Sequence, residues 1–300
     1  MGGLFTSFLT TFIILFAVYM LASTAGLISE KSGTVNIAID GTMIMGALAY
    51  ASMASWDAYW NAFGVMAPFV TLFFAMLVGM IYAQLLSFAT INLMADQVIT
   101  GTALNLFAPA LSLILLFQYF KLNQIIIPAT TMSWYVIPLI FLILALLIIL
   151  FISFLLTKTT FGLRLKAVGE NPYALETAGH SVYKMRWQAL TIAGALAGLA
   201  GGMFIFYNSG SFAGTVNGAG FIALAIVIFG QWKIKGIVLG SFILAFIGSL
   251  ALLLMLLVPE IPYEIMNIIP FVIPILILCI FKSKKGPKSS GIPFKKDSRE

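Results

Sequence analysis

Nine apolar runs, separated by short polar stretches, follow one another along the chain of 300 residues. They lie at about residues 4–27, 35–56, 64–88, 98–118, 134–157, 187–208, 219–230, 237–258 and 265–281. A helix rises 1.5 Å per residue, so about 20 apolar residues cross the hydrocarbon core of a bilayer. The runs are long and do not alternate between polar and apolar residues, which favours helices over a membrane barrel. The pattern therefore predicts an all-α, polytopic membrane protein with roughly 8–10 transmembrane segments.

Some of these runs are too short or too interrupted for a regular span. The run 219–230 is expected to form a half-helix or a re-entrant segment unless it borrows flanking residues. Pro270 and Pro274 interrupt the run 265–281. The first run lacks the basic residues that begin a signal peptide, and is expected to remain as a membrane span.

Composition agrees with this class. The chain is 61% hydrophobic and only 9% charged, whereas soluble domains are about half apolar and a quarter charged. A single cysteine, Cys279, excludes an intramolecular disulfide. The chain has no HEXXH motif, no glycine-rich phosphate loop with its lysine, and no serine–histidine–acid set. We therefore expect no catalytic residues, no metal site and no enzymatic activity, and we expect the only histidine, His180, to be a surface residue.

The basic residues predict the orientation in the membrane. Most of the 16 lysines and arginines lie in the loop 158–186 and the tail 282–300. Placing the tail in the cytoplasm leaves only Lys121 on the opposite side, as the positive-inside rule requires. We expect a transmembrane domain over residues 1–281, whose largest cytoplasmic loop is 158–186, and a basic cytoplasmic tail. The chain is thus expected to be a multi-pass membrane protein with its C-terminus in the cytoplasm.

Polar residues enter the membrane in two clusters, residues 30–51 and 90–105. Asn36 and Asp40 are four positions apart and would share a helix face, while Gly33 and Gly41 permit breaks. Such groups either line a solute pathway or form hydrogen bonds between helices, and the sequence leaves both readings open. Neutral amides and hydroxyls suit a neutral polar solute. The candidate pathway residues are Asn36, Asp40, Asn92, Gln97 and Asn105.

Small residues are concentrated in GALAGLAGG, residues 194–202. Small side chains at spacings of four let helix backbones approach closely in lipid. This pattern indicates helix packing, with the lining of a channel as the alternative.

The loop 158–186 contains the stretch GENPYALETAGH. Asn171 and Pro172 are typical of the start of a helix, and Gly179 is typical of its end. We expect a helix of about two turns that exposes Glu170, Tyr173 and Glu176. Such a helix either docks into a partner protein or is an ordinary connection.

Three stretches carry a resemblance to a known family: SGTVNIAIDGTMIMGALAY (32–50), TFGLRLKAVGENPYALETAGHSVYKMRWQALTIAGALAGLAGG (160–202) and GAGFIALAIVIFGQWKIKG (218–236). The chain resembles the permease subunits of bacterial ABC importers in the ribose, simple-sugar and nucleoside group. It is most similar to nucleoside permeases that work with basic-membrane-lipoprotein-type binding proteins. It departs from the usual pattern in having Asp40 in place of glutamate and no proline near Lys233.

The resemblance implies a transport subunit that imports nucleosides, or else simple sugars, by alternating access. It implies three partners: an ABC ATPase, a second permease subunit that is homologous or identical, and an extracytoplasmic binding lipoprotein. ATP and magnesium would bind to the ATPase, and this chain would bind no cofactor. The short cytoplasmic helix would lie in a groove of the ATPase. The coupling residues would be Glu170, Asn171, Pro172, Tyr173, Ala174, Glu176, Thr177 and Gly179.

An alternative from another class is an ion-coupled secondary carrier for a small polar solute. Ion coupling normally uses ionisable residues buried within the spans. Only Asp40 and Asp96 qualify, and both lie near predicted membrane boundaries. Their positions favour energy supplied by a partner.

Overall fold

The computed structural model describes residues 2–56, 63–121, 123–127, 136–208, 210–257 and 286–295, and four separate positions at 268, 272, 273 and 276. The helices of these residues are α1 (Gly2–Lys31), α2 (Ile39–Ala54), α3 (Ala67–Ser87), α4 (Gln97–Leu115), α5 (Val136–Lys158), α6 (Thr160–Glu170), α7 (Pro172–Thr177), α8 (Val182–Tyr207), α9 (Ala219–Phe229) and α10 (Ile234–Leu257). A 3-10 turn, Gly64–Met66, precedes α3. Single π-helical turns, Phe88–Asn92 and Leu116–Phe120, follow α3 and α4. Two short strands, β1 (Ile125–Ile126) and β2 (Ser211–Phe212), pair antiparallel with Ile125 opposite Phe212.

Six helical segments in the described part of the chain are long and apolar enough to cross a membrane. They are Leu4–Lys31, Ala67–Asn92, Gln97–Phe120, Val136–Lys158, Val182–Tyr207 and Ile234–Met255. The predicted all-α, polytopic membrane fold is confirmed. The run 219–230 forms the 11-residue helix α9, which agrees with its prediction as a short segment. Pro270, Pro274 and Cys279 lie outside the described residues.

Helix α8 lies at the centre of the bundle. In the most apolar 18 residues of this helix, 83% of the residues are buried, whereas the share is at most 44% in the other five spans. It packs against α1, α2 and α3, while α5 and α10 pack against α1 and α4 packs against α2. The large exposed side chains of α4 and α5 therefore face outward, as expected of helices that meet lipid or a partner.

The small residues of α8 bring its backbone against those of its neighbours. A Cβ atom on Gly198 would overlap the carbonyl oxygen of Ala75 in α3. A Cβ atom on Gly201 would overlap the carbonyl oxygen of Met43 in α2. The packing role predicted for GALAGLAGG is thus confirmed, because these contacts exist only where a side chain is absent.

Candidate functional site

The first polar cluster contains a break between two helices. Helix α1 ends at Lys31 and α2 begins at Ile39. Gly33 adopts a φ of +77°, in the region that favours glycine, and its N–H donates to the carbonyl of Glu30 at 2.9 Å. Asn36 therefore lies outside any helix, and its predicted place on a helix face with Asp40 is wrong. The break occurs near Gly33, whereas Gly41 lies within α2.

Two side chains of α4 satisfy backbone groups that this break leaves open. The side-chain oxygen of Gln97 accepts a hydrogen bond from the N–H of Val35 at 2.6 Å. Asn105 uses both ends of its amide: Oδ1 accepts from the N–H of Gly41 and Nδ2 donates to the carbonyl of Ile37, each at 2.7 Å. Buried backbone groups without water need such partners. Both side chains are therefore anchored to the break.

Asp40 connects the same region to α9. Its Oδ1 accepts a hydrogen bond from the backbone N–H of Gly220 at 2.9 Å. The residue before α9, Gly218, provides no side-chain cap, and the first N–H groups of a helix lack partners within it. Asp40 supplies the missing acceptor from another helix, and its negative charge suits the positive end of the α9 dipole.

The structure brings four of the five predicted pathway residues together around the break, and leaves the fifth elsewhere. Asn36, Asp40, Gln97 and Asn105 are all buried. Asn92 is exposed at the end of the π-helical turn that follows α3, and its Oδ1 accepts a hydrogen bond from Nε1 of Trp187 at 3.1 Å. We call residues 32–41, together with Gln97, Asn105 and Gly220, the polar break.

Asn36 differs from the other members of the polar break. It is only 3% exposed, and its Oδ1 has no hydrogen-bond partner among the residues that the structure describes. An unpaired buried acceptor is unfavourable unless another molecule or another conformation satisfies it. Asn36 is therefore the one amide of this cluster whose side-chain oxygen is not engaged in holding these helices together.

The second candidate feature is the short helix α7, at the end of the bundle where α1 ends and α8 begins. It starts as predicted, since Pro172 occupies its first turn and Oδ1 of Asn171 accepts from the N–H of Ala174 at 3.2 Å. Gly179 adopts a φ of +82° beyond its end. Leu175 is only 5% exposed and anchors α7 to the bundle.

The outer side of α7 and its flanks carries exposed residues: Glu170, Asn171, Tyr173, Ala174, Thr177 and Gly179. Glu176 differs from the prediction because it is only partly exposed, and its Oε2 accepts a hydrogen bond from the N–H of Val182 at 3.1 Å. This bond caps the first turn of α8, so Glu176 has a structural role at the junction of the two helices. His180, predicted to be a surface residue, is half-buried beside this junction.

The C-terminal tail is expected from the sequence only to determine orientation, but its residues 286–295 pack onto the bundle beside α7. Ser289 and Phe294 are buried there, at 5% and 4% exposure. The signal available in the sequence is the apolar stretch Ile292, Pro293 and Phe294 within an otherwise basic tail. Only the contact partners, which are distant in sequence, show where it binds.

A bundle of six apolar helices in the described residues, each long enough to cross a bilayer, defines a polytopic membrane protein. The chain belongs to the branched-chain amino acid transport system / permease component family, whose profile matches residues 8–278. It is therefore a permease component of a transport system. No solved structure gives a significant match.

Several curated proteins are similar over most of the chain. The nucleoside ABC transporter permease protein NupC of Lactococcus lactis is 36% identical, with 91% of each chain covered. The guanosine ABC transporter permease protein NupQ of Bacillus subtilis is 34% identical, with 93% of each covered. The uncharacterized protein MG121 of Mycoplasma genitalium is 33% identical, with 93% of this chain and 94% of that protein covered.

Proposed function

We propose that this chain is the membrane-spanning subunit of an ATP-driven ABC importer that moves nucleosides into the cell by alternating access. The similarity to NupC and NupQ, which extends over more than nine tenths of the chain, carries the substrate assignment. Asn36 of the polar break supports it, because its neutral amide has an unengaged oxygen and a nucleoside is a neutral polar solute.

The energy comes from a separate ATPase that docks on α7. This helix is fixed to the bundle on one side by Leu175 and presents Ala174 and Thr177 on the other. A helix that is anchored on one side and exposed on the other can transmit a displacement to the bundle. ATP and magnesium bind to the ATPase, and this subunit holds no cofactor.

The end of the bundle that carries α7 faces the cytoplasm. Its exposed basic residues include Lys158, Arg164, Lys166 and Lys184. Cytoplasmic loops of membrane proteins carry such an excess of lysine and arginine. The C-terminal segment, packed beside α7, then lies on the same side of the bacterial inner membrane.

Two further partners complete the importer. A second permease subunit, homologous or identical, forms the other half of the pathway, and an extracytoplasmic lipoprotein captures the solute. In the alternating-access cycle the polar break is the place where α1 and α2 can change their relative angle. Its backbone is held by side chains of α4, not by continuous helical hydrogen bonds.

Reconstitution of the four components in proteoliposomes tests this function. We expect uptake of labelled guanosine and adenosine that requires ATP, with unlabelled ribose competing poorly. Uptake without the ATPase, driven by an imposed ion gradient and abolished by a protonophore, would instead establish an ion-coupled carrier.

A second measurement tests the docking site. Ala174→Trp places a bulky side chain on the exposed face of α7 and should sharply reduce co-purification with the ATPase, while Ala174→Ser should not. Deletion of residues 172–178 should abolish coupling. Assembly and uptake that survive both changes would show that the ATPase binds elsewhere.

A further inference from the structure

The C-terminal segment 286–295, which we call the strap, is held by specific hydrogen bonds at the end of α6. The backbone N–H of Ser289 donates to the carbonyl of Gly169 at 2.9 Å. The hydroxyl of Ser289 donates to the carbonyls of Val168 and Gly169, at 2.8 Å each. These carbonyls belong to the last turn of α6, where a helix leaves its C=O groups without internal partners. The strap therefore caps the helix that leads directly into α7.

Phe294 connects the strap to both α7 and α8. Its ring centroid lies 5.1 Å from that of Tyr173 in α7 and 5.6 Å from that of Tyr183 in α8. The hydroxyl of Tyr183 donates to the carbonyl of Phe294 at 3.2 Å. With only 4% of its surface exposed, Phe294 forms an apolar wedge between the two helices.

Arg186 of α8 links the strap to the polar break. Its side chain is 2% exposed, and it donates through Nε to the carbonyl of Ser32 and through Nη1 to the carbonyl of Ile292, each at 3.2 Å. Ser32 directly follows α1, so the cation lies at the negative end of the α1 dipole. The strap also contacts the break itself, since a Cβ atom on Gly33 would overlap Oγ of Ser289.

The strap thus makes contact with α7 at one end and with the first residues of the polar break at the other. The covalent connections of α7 lead only to α6 and α8. The last turn of α6, just before α7, packs on the end of α1, since a Cβ atom on Gly169 would overlap the carbonyl oxygen of Lys31. The strap and Arg186 extend this contact to Ser32 and Gly33. Tightly packed contacts of this kind transmit displacement, because a close-packed interior is hard to compress.

We propose that the strap is a coupling element, which transmits movement of α7 through Phe294, Ser289 and Arg186 to the break between α1 and α2. This inference rests on the proposed function, in which an ATPase moves α7. Phe294 acts as a positioning residue: it does not contact the solute, but it fixes α7 relative to the break.

The test uses the reconstituted importer with Phe294→Ala in this subunit. Uptake and ATP hydrolysis are measured per assembled complex, with and without solute-loaded binding protein. We expect assembly and basal hydrolysis to persist, while uptake and the stimulation of hydrolysis by loaded binding protein fall by about 5-fold or more. Phe294→Leu, which keeps an apolar wedge, should restore most of the coupling.

Lys288→Ala provides the matched control, because this exposed side chain belongs to the same segment. It should leave uptake unchanged. If Phe294→Ala and a chain truncated after residue 285 both transport normally per assembled complex, the strap has only a stabilising role and the proposal is overturned. If the unmodified importer shows no ATP-dependent uptake, the proposed function itself has failed.

Covalent rescue gives an independent measurement. The pair Tyr173→Cys and Phe294→Cys, in a Cys279→Ser background, removes the aromatic wedge and should impair coupling. A short, reducible bis-methanethiosulfonate reagent should then restore uptake, and reduction should abolish it again. If the cross-link leaves uptake impaired or blocks it further, α7 and the strap do not move together, and the strap is not the coupling element.

Discussion

The carboxylate of Asp40 in α2 accepts a hydrogen bond from the N–H of Gly220 in α9, 180 positions further along the chain. A Cβ atom on Gly220 would overlap the backbone of Asp40, so the two helices meet without an intervening side chain. Asp40, an acidic residue in a mostly apolar segment, thus has a defined hydrogen-bond partner in another helix.

Loss of this contact should destabilise the protein. Asp40→Ala removes the only side-chain oxygen that caps α9 in the described structure, and hydrogen bonds to charged groups contribute about 1.5–3 kcal/mol. Asp40→Asn keeps an uncharged acceptor and should lose less. Thermal unfolding of the detergent-solubilised protein measures both changes.

The control for this prediction is Asp96, which caps its own helix at the exposed start of α4 by accepting from Val98 and Ile99 at 2.9 Å. Asp96→Ala should cost about 1 kcal/mol, typical of an N-cap. Equal losses in Asp40→Ala and Asp96→Ala would contradict a special role for the contact between α2 and α9.

Local features of this fold are accessible from the sequence. The spans follow from the length of the apolar runs, α7 from Asn171 and Pro172, and the packing of α8 from its glycines. Each of these signals depends on neighbours within a few positions. Hydropathy also predicts the short α9, because a run of this length cannot form a full span.

The organisation of the candidate site depends on contacts between distant residues, and the sequence does not predict it. Gln97 bonds to Val35 across 62 positions, and Asn105 bonds to Ile37 across 68. Asn92 has the same chemistry as Asn105 but lies on the exposed side, bonded to Trp187. Composition cannot distinguish these two asparagines, because the difference arises only when α4 packs against α2.

A side chain at Gly198 should prevent correct assembly of the bundle. Its Cβ atom would meet backbone atoms of α3, which cannot rotate away as a flexible side chain can. Gly198→Val should therefore abolish the monodisperse peak in fluorescence-detected gel filtration. Gly248→Ala in α10 is the matched control, since its Cβ atom would meet only the end of the Leu15 side chain at 3.2 Å. A normal peak for Gly198→Val would show that α3 and α8 are not in backbone contact.

Alanine substitutions of the two glutamates in and beside α7 should affect different properties, one the stability of the protein and the other the docking of the ATPase. Glu176→Ala removes the acceptor for Val182 N–H and should lower stability by about 1 kcal/mol, as expected for a helix cap. Glu170→Ala changes an exposed residue and should leave the Tm unchanged while it weakens co-purification with the ATPase. If Glu170→Ala instead lowers the Tm and leaves co-purification with the ATPase unchanged, Glu170 does not belong to the docking surface.

Replacing each of two asparagines of the polar break by alanine should have different effects on the stability of the protein. Asn105→Ala leaves the N–H of Gly41 and the carbonyl of Ile37 buried without their partner, and should cost about 1–3 kcal/mol. Asn36→Ala removes an oxygen that has no partner in the described structure, so stability should change little. If Asn36 takes part in solute passage, its loss should instead raise the KM for nucleoside uptake.

Thermal unfolding and uptake kinetics on the two variants together decide between interhelical contact and pathway lining. A lowered Tm with unchanged KM identifies a residue that holds helices together, and we expect this for Asn105→Ala in the fraction that folds. An unchanged Tm with raised KM identifies a residue that meets the solute, and we expect this for Asn36→Ala. If Asn36→Ala alters neither quantity, the solute passes elsewhere, because a buried acceptor that contacts a polar solute contributes to its binding free energy.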